Sequence, residues 1–169
     1  MKKFAFNFVI WIDADSCPLL IRNYVADYAQ SKNLDLRFVA NKNIPVHKKS
    51  PKSKNTSFNI KMIVCSSQKD AADDYIFLNA GERDVVITRD LLFAKRLVDK
   101  KIFVMNDRGT VFNSFNIEDR LAESRFNMNL REIGFLPQAR SRFGKKELAA
   151  FSSVFERHIS RLIADGFYF

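Results

Sequence analysis

The sequence contains few of the residues that build cross-linked or zinc-stabilised domains. Its two cysteines, Cys17 and Cys65, are too few for a disulfide framework and lack the C-x-x-C spacing of a structural zinc site. A reduced, cytoplasmic setting is therefore the expectation. We predict that Cys17 is a packed small residue and that Cys65 belongs to the core.

Histidine is also scarce, and glycine-rich nucleotide-binding motifs are absent. The two histidines, His47 and His158, occur in unlike contexts and indicate neither a ligand pair nor a catalytic base, so we predict both to be surface residues. No G-x-G-x-x-G or G-x-x-x-x-G-K motif is present, which leaves little support for a nucleotide cofactor.

Long apolar runs are absent as well. No segment approaches the roughly 20 apolar residues that span a bilayer, so no membrane association is expected. The first apolar stretch, MKKFAFNFVIWI, is short and runs directly into Asp13, which favours a strand over a signal peptide. Five glycines, four prolines and 47% hydrophobic residues in 169 positions indicate one compact domain.

Acidic residues are outnumbered by basic ones. The chain has 28 lysines and arginines against 19 aspartates and glutamates, a formal net charge of +9. Such an excess favours a polyanionic partner. We expect that partner to be nucleic acid, with RNA favoured over DNA.

Strand-like and helix-like segments alternate, which is typical of an α/β fold with a mainly parallel sheet of about five strands flanked by helices. The predicted strands are Phe4–Ile12, Leu34–Ala40, Ile60–Cys65, Asp84–Ile87 and Ile102–Met105. The predicted helices are Pro18–Ser31, Ala71–Ala80, Leu91–Val98, Ile117–Ile133 and a last helix from about Lys145 to Gly166.

Two segments interrupt this alternation. Residues 41–59 contain five lysines, two prolines and no acidic residue, which predicts a long exposed loop. Residues 134–144 separate a core of residues 1–133 from a C-terminal arm and helix at 134–169. An apolar stripe on the last helix predicts that it docks onto the same domain. The stripe consists of Leu148, Phe151, Phe155, Ile159 and Leu162.

The most informative feature is a series of aspartates that directly follow the predicted strands. They are Asp13 and Asp15 after the first strand, Asp70, Asp73 and Asp74 after the third, Asp90 after the fourth and Asp107 after the fifth. Ligands of open α/β sheets bind along the carboxyl edge of the strands. These loops are therefore expected to converge on one crevice.

The aspartates also have a structural interpretation. Asp70 and Asp90 could cap the helices that follow them, and Ser16 could cap the first helix after an ordinary turn. Capping requires neither the D-x-D pair after the first strand nor the adjacent Asp73–Asp74 pair. The joint pattern therefore favours a metal site.

The donor chemistry favours Mg²⁺ or Mn²⁺, because both prefer oxygen ligands and Mg²⁺ combines one or two carboxylates with water and a substrate phosphate. We expect Asp13, Asp73 and Asp90 to hold the metal directly or through water. Asp15 or Asp74 would complete the shell or orient the attacking water. The candidate phosphate contacts are Lys48, Lys49, Lys52, Lys54, Arg108, Arg140 and Arg142.

Four motifs occur in a fixed order: IDADSCP, DAADDYI, VITRD, and NDRG followed by Asn116-Ile117 and Arg120-Leu121. In this order they resemble the YaiI/YqxD-like family of bacterial proteins, which is usually related to PIN-like and NYN nucleases. The resemblance covers about residues 8–125 and continues more weakly through Phe143 and the last helix. It implies a single PIN-like domain with an acidic metal site. By motif position the site residues would be Asp13, Asp15, Asp73 or Asp74, and Asp90.

The sequence departs from the family pattern at three places. Ser16 replaces the familiar alanine before the cysteine of the first motif, and Asp107 replaces the proline of the usual Asn-Pro-Arg-Gly turn. The Gly/Pro-rich stretch before the last helix reads QARSRFG. We therefore assign no catalytic role to the last helix and little weight to Asp107.

Three functions remain open. The leading hypothesis is a metal-dependent nuclease-like protein that acts on RNA or single-stranded nucleic acid. The second is a non-catalytic nucleic-acid-binding module whose acidic site is vestigial. The third is a haloacid-dehalogenase-like phosphatase, in which Asp13 would be the nucleophile and Asp15 its acid/base partner. Cys17 and Pro18 count against the third, because a hydroxyl residue is expected two places after the second aspartate.

Overall fold

The computed structural model describes residues 7–45, 60–138 and 142–166. These residues form a mixed β-sheet flanked by helices. The strands in these ranges are β1 (Val9–Asp13), β2 (Asp35–Ala40), β3 (Ile60–Val64), β4 (Val85–Ile87), β5 (Phe103–Met105) and β6 (Val111–Phe112). The helices are α1 (Leu19–Lys32), α2 (Ala71–Asn79), α3 (Leu91–Asp99), α4 (Ile117–Glu132) and α5 (Lys145–Gly166). The predicted α/β class is confirmed.

The strand order of the sheet is β3-β2-β1-β4-β5-β6. The first five strands pair in parallel, and β6 pairs antiparallel with β5. Strands β2 and β3 are added in order on one side of β1. The chain then crosses back, and β4 pairs with β1 on its other side, followed by β5 and β6. The reversal creates a crevice at the carboxyl ends of β1 and β4, which is where ligands of such sheets bind.

The sequence prediction differs from the structure at the two ends of the sheet. The first strand begins at Val9 and not at Phe4. The reason is that β2 begins opposite Val9 and β4 begins opposite Ile10, so neither strand provides backbone partners for earlier residues. Residues 1–6 lie outside the described ranges. Strand β6 was not predicted, because its two residues are too short to show a periodicity.

The sheet is buried on both faces. One core lies under α1 and α5, where Phe151, Phe155 and Ile159 are fully buried, and Leu148 and Leu162 pack against them. The predicted docking of the last helix is thus confirmed, and α5 belongs to the same domain. The second core lies under α2, α3 and α4.

The turn between β5 and β6 is tight and lies against α5. The side-chain oxygen of Asn106 accepts hydrogen bonds from the backbone N–H groups of Arg108 and Thr110. Gly109 has a φ of +83°, and a Cβ at this position would be 2.6 Å from the carbonyl oxygen of Ala150. Only glycine combines this backbone conformation with so close an approach to a helix.

The buried carboxylate of Asp84 joins segments at the opposite, amino edge of the sheet. It accepts hydrogen bonds from the backbone N–H of Val9 at 2.7 Å, from the Trp11 indole at 3.0 Å and from the backbone N–H of Gly81 at 2.9 Å. The sequence pattern places Asp84 only at the start of a strand. Its three donors give it a structural role.

The cysteines and one histidine can be compared with their predictions. Cys17 is buried as predicted, and burial raises the pKa of its thiol. Cys65 is half-buried against the second core. His158 is not a freely exposed surface residue, because its ring is half-buried and stacks on Phe103 with 3.5 Å between ring centroids. His47 lies outside the described ranges.

The predicted long loop at 41–59 is described only for residues 41–45, which form neither helix nor strand. In the second predicted break, the described residues 134–138 and 142–144 are also irregular. No helix within the described ranges is long and apolar enough to cross a membrane.

Candidate functional site

The side chain of Asp13 lies at the switch point of the sheet, where β1 ends. Ile12 pairs with Ile87 of β4, so the next residues on the two strands, Asp13 and Thr88, are neighbours. The Thr88 hydroxyl donates a hydrogen bond to Asp13 Oδ2 at 2.9 Å, and the Ser16 hydroxyl donates to the same oxygen at 2.9 Å. Two hydroxyls therefore fix the orientation of a carboxylate that is only 6% exposed.

Asp90 follows the end of β4 and caps α3. Its Oδ1 accepts the backbone N–H of Phe93 at 3.0 Å, which confirms the predicted cap. Its own backbone N–H donates to the Thr88 hydroxyl at 3.1 Å, so Thr88 links Asp90 to Asp13. Asp90 is exposed, and the cap hydrogen bond uses its Oδ1.

Asp73 lies in the first turn of α2 and completes a group of three with Asp13 and Asp90. Burial, followed by the charges of Asp13, Asp90 and Asp70, raises the pKa of Asp73 to about 7. The pKa of Asp13 is raised as well, first by burial, although the hydrogen bonds from Thr88 and Ser16 oppose the rise. Carboxylates from three segments therefore act on one another in one crevice.

The other predicted acidic residues are engaged elsewhere. Asp15 is exposed, and its Oδ2 accepts the backbone N–H of Asn41 at 2.7 Å, which joins the ends of β1 and β2. Asp74 forms an ion pair with Arg96 at 2.9 Å. Asp70 adopts a φ of 61° and makes no side-chain cap hydrogen bond, so its predicted capping role is wrong.

Ser16 does not cap α1, as the structural interpretation had supposed. The residue at the cap position is Pro18, which makes no side-chain hydrogen bond to the helix. Ser16 is instead a partner of Asp13. Thr88 also has a role that was not predicted, although a hydroxyl residue at the end of the apolar strand VVI was the available signal.

No three His, Cys, Asp or Glu side chains in the described ranges are close enough together to hold a metal ion by themselves. Nor does a described lysine or arginine form an ion pair with Asp13, Asp73 or Asp90. The raised pKa values of Asp13 and Asp73 are therefore not offset by a direct ion pair among the described residues.

Asp107, which had been given little weight, has a clear structural partner. It is 2% exposed, and its Oδ2 accepts hydrogen bonds from Arg89 Nε at 2.8 Å and Arg89 Nη2 at 2.5 Å. Arg89 stands between Thr88 and Asp90 in the chain. The carboxylate of the β5–β6 turn thus fixes an arginine directly beside the acidic group.

The predicted phosphate contacts are described only in part. Arg108 lies 3.7 Å from Glu147 and over the ring of Phe143, and Arg142 is exposed. The other candidates lie outside the described residues. They are Lys48, Lys49, Lys52, Lys54 and Arg140.

The raised pKa of Asp73 predicts a pH-dependent cost to folding. A carboxyl group whose pKa is higher in the folded state stabilises the protein at low pH, and this stability is lost as the pH rises from about 4 to about 7. Asp73→Asn should therefore raise the free energy of unfolding at pH 8 in EDTA. We expect an increase of about 1–2 kcal/mol, reduced from the full shift because the group is half solvated.

The measurement is urea unfolding of both proteins across this pH range. The gain from Asp73→Asn should vanish below about pH 3, where the wild-type carboxyl is protonated in both the folded and the unfolded state. The neighbouring substitution Asp74→Asn is the control, because it breaks an exposed ion pair and should lower stability slightly or not at all. Equal stability of wild type and Asp73→Asn at pH 8 would contradict a raised pKa of Asp73 in the folded protein.

Comparison with known proteins gives a consistent result. The family model DUF188, described as "Uncharacterized BCR, YaiI/YqxD family", matches residues 11–161. A UPF0178 protein of Treponema denticola is 39% identical over 154 residues, which is 91% of this chain and 93% of the relative. No solved structure matches the chain significantly.

Two further relatives carry the same description. A UPF0178 protein of Treponema pallidum is 38% identical over 91% of this chain and 82% of its own length. One of Pseudomonas fluorescens is 34% identical over 90% of this chain and 96% of its own length. The match therefore includes the strands of the acidic crevice and most of α5, and the chain belongs to the YaiI/YqxD (DUF188, UPF0178) family.

Proposed function

We propose that the chain is a divalent-metal-dependent, nuclease-like phosphodiesterase that acts on RNA or other single-stranded nucleic acid. The observation that supports it is the group formed by Asp13, Asp73 and Asp90. These side chains come from three segments near the switch point, and burial together with the charge of Asp90 raises the pKa of both Asp13 and Asp73. The relationship to PIN-like and NYN nucleases that the motifs imply belongs to the same proposal.

The donor set fits Mg²⁺ or Mn²⁺. It consists of carboxylate oxygens, which both ions prefer, and a cation would offset the burial and the neighbouring charges that raise the pKa of Asp73. Because no three of these side chains converge as a ready-made ligand group in the described ranges, water and a substrate phosphate would supply the remaining ligands. This is the usual mode of Mg²⁺ binding. The ion would supply Lewis acidity at a phosphodiester oxygen.

The residues of the chain would prepare this site in three ways. Thr88 and Ser16 hold Asp13 in one orientation, and Asp90 is fixed by its cap on α3. Asp15, exposed at the rim and held by Asn41 N–H, would orient the attacking water. Asp74 suits that role less well, because it is bound to Arg96.

The net charge of +9 supports nucleic acid as the substrate class. An acidic crevice alone would repel a phosphate backbone. Both the cation and the basic residues around the crevice are therefore parts of the proposal.

A second candidate is a nucleic-acid-binding module without turnover. The observation that favours it is the absence of a ready-made group of three metal ligands among the described residues. This function would require salt-sensitive binding that does not change when Asp13 or Asp90 is replaced.

The experiment is a cleavage assay on labelled single-stranded RNA, single-stranded DNA and duplex RNA, first in EDTA and then with Mg²⁺ or Mn²⁺. We expect cleavage of single-stranded RNA only after a divalent ion is added, and its loss when EDTA is restored. Binding without cleavage under all these conditions would favour the second candidate. Cleavage that proceeds equally in EDTA would contradict the metal-dependent proposal.

A further inference from the structure

A polar cleft of about 630 Å³ opens beside the acidic group and has no assigned role. Its walls are the loop after β4, the β5–β6 turn and one face of α4. We call it the arginine cleft, because Arg89, Arg108, Arg120 and Arg131 line it together with Ser124 and Asn127. Arg89 directly precedes Asp90, so the cleft begins where the acidic group ends.

The charge of the arginine cleft is positive. Its four arginines face two carboxylates, those of Asp107 and Glu123. Asp107 is held by Arg89, and Glu123 is 3.8 Å from Arg120. The Nε of Arg131 is buried and has no hydrogen-bond partner in the described structure. A buried donor without an acceptor is costly, so the Arg131 guanidinium is not fully satisfied by the described protein groups.

The cleft residues on α4 follow the helical repeat. Arg120, Ser124, Asn127 and Arg131 are spaced i, i+4, i+7 and i+11, which places them along one face of the helix. The row extends for about 16 Å along the helix axis. It presents guanidinium, hydroxyl and amide groups in succession, and guanidinium groups bind phosphate with two parallel hydrogen bonds.

We propose that the arginine cleft binds phosphate groups of the single strand whose scissile bond lies at Asp13, Asp73 and Asp90. The inference rests on the proposed function for the position of that bond. The fixed neighbour of both regions is Arg89, which Asp107 orients at the boundary between them. The cleft thus attracts the backbone that the acidic group would otherwise repel.

The test is binding of a short fluorescein-labelled single-stranded RNA, measured by anisotropy in EDTA over a series of salt concentrations. The double substitution Arg120→Gln/Arg131→Gln should weaken binding about tenfold or more at low salt. It should also lower the slope of log affinity against log salt by about 1.4, because each lost phosphate contact contributes about 0.7 on a single strand.

Two further variants separate charge from folding. Ser124→Glu places a carboxylate in the cleft without removing an arginine and should weaken binding in the same direction. Arg157→Gln is the matched control, because Arg157 is exposed on α5, on the other face of the sheet. We expect it to bind RNA nearly as wild type does. Thermal unfolding of each variant monitors its fold.

Competition identifies the source of the phosphate. Inorganic phosphate and a nucleoside monophosphate should displace the labelled RNA only at far higher concentration than an unlabelled RNA strand. Displacement at similar concentration would overturn the assignment to a strand and indicate a small-anion site. Unchanged binding by both the double variant and Ser124→Glu, or no binding by the wild type at low salt, would overturn the cleft itself.

The outcome is distinct from that of the cleavage assay. If the arginines govern binding in EDTA but no condition gives cleavage, the cleft is supported and the proposed function fails. If the wild type cleaves RNA while the cleft variants bind and cleave normally, the proposed function is supported and the cleft fails.

Discussion

Asp13→Asn is expected to lower metal-dependent cleavage of single-stranded RNA at least about a hundredfold while the protein remains folded. The substitution preserves the shape of the side chain, and its amide oxygen can still accept the hydroxyls of Thr88 and Ser16. It removes the charge that a divalent ion requires from the most buried carboxylate of the site. The measurement is the initial cleavage rate at saturating Mn²⁺, with the melting temperature followed in parallel.

Two companion substitutions sharpen this experiment. Asp90→Asn should lose activity as well, yet keep α3 intact, because asparagine caps a helix about as well as aspartate does. Asp99→Asn is the control, since it removes an exposed carboxylate at the far end of the same helix. Full activity in both Asp13→Asn and Asp90→Asn would remove this crevice as the catalytic site.

Asp84→Ala is expected to lower the free energy of unfolding by about 3–5 kcal/mol, because it leaves the donors of Val9, Trp11 and Gly81 without their acceptor. The loss is large because one carboxylate joins the starts of β1 and β4 with the loop before β4. Denaturant unfolding can be followed through the fluorescence of Trp11, the only tryptophan of the chain.

The same substitution separates stability from function. Asp84 lies at the amino edge of the sheet, opposite the acidic group, so the folded Asp84→Ala protein should bind Mn²⁺ as wild type does. Asp84→Asn retains one acceptor and should be destabilised less than the alanine variant. A change below about 1 kcal/mol in Asp84→Ala would contradict the structural role of this residue.

The elements of the fold that could be predicted from the sequence are those marked by a local pattern of apolar residues. Strands β1 to β5 are apolar runs, and α5 carries a stripe of large apolar side chains, so all were predicted within a few residues. Strand β6 is two residues long and depends on its partner β5, so no periodicity could reveal it.

The acidic group followed from the same logic. Once the strands are placed, parallel topology brings their carboxyl ends to one edge, and the grouping of Asp13, Asp73 and Asp90 could be predicted. The hydrogen-bond partners of these aspartates could not be predicted from the sequence. The bond from Thr88 to Asp13 depends on the register between strands that are 75 residues apart in sequence.

The pair formed by Arg89 and Asp107 illustrates the same limit. In the sequence, Asp107 is a replacement for proline in a turn and has no evident reason. Its partner Arg89 lies 18 residues earlier, in another loop, so the pairing cannot be inferred from the sequence. The arginines of α4 were overlooked for a related reason. Their spacing on one helix face becomes informative only when the structure shows a cleft beside it.

Gly109 has a consequence for how the two halves of the chain depend on each other. Its contact with Ala150 seats the wall of the arginine cleft directly on the backbone of α5. The same turn carries Asp107, which accepts hydrogen bonds from Arg89 beside the acidic group. The last helix contributes none of the three aspartates, but its backbone at Ala150 limits where the β5–β6 turn, and with it Asp107, can lie.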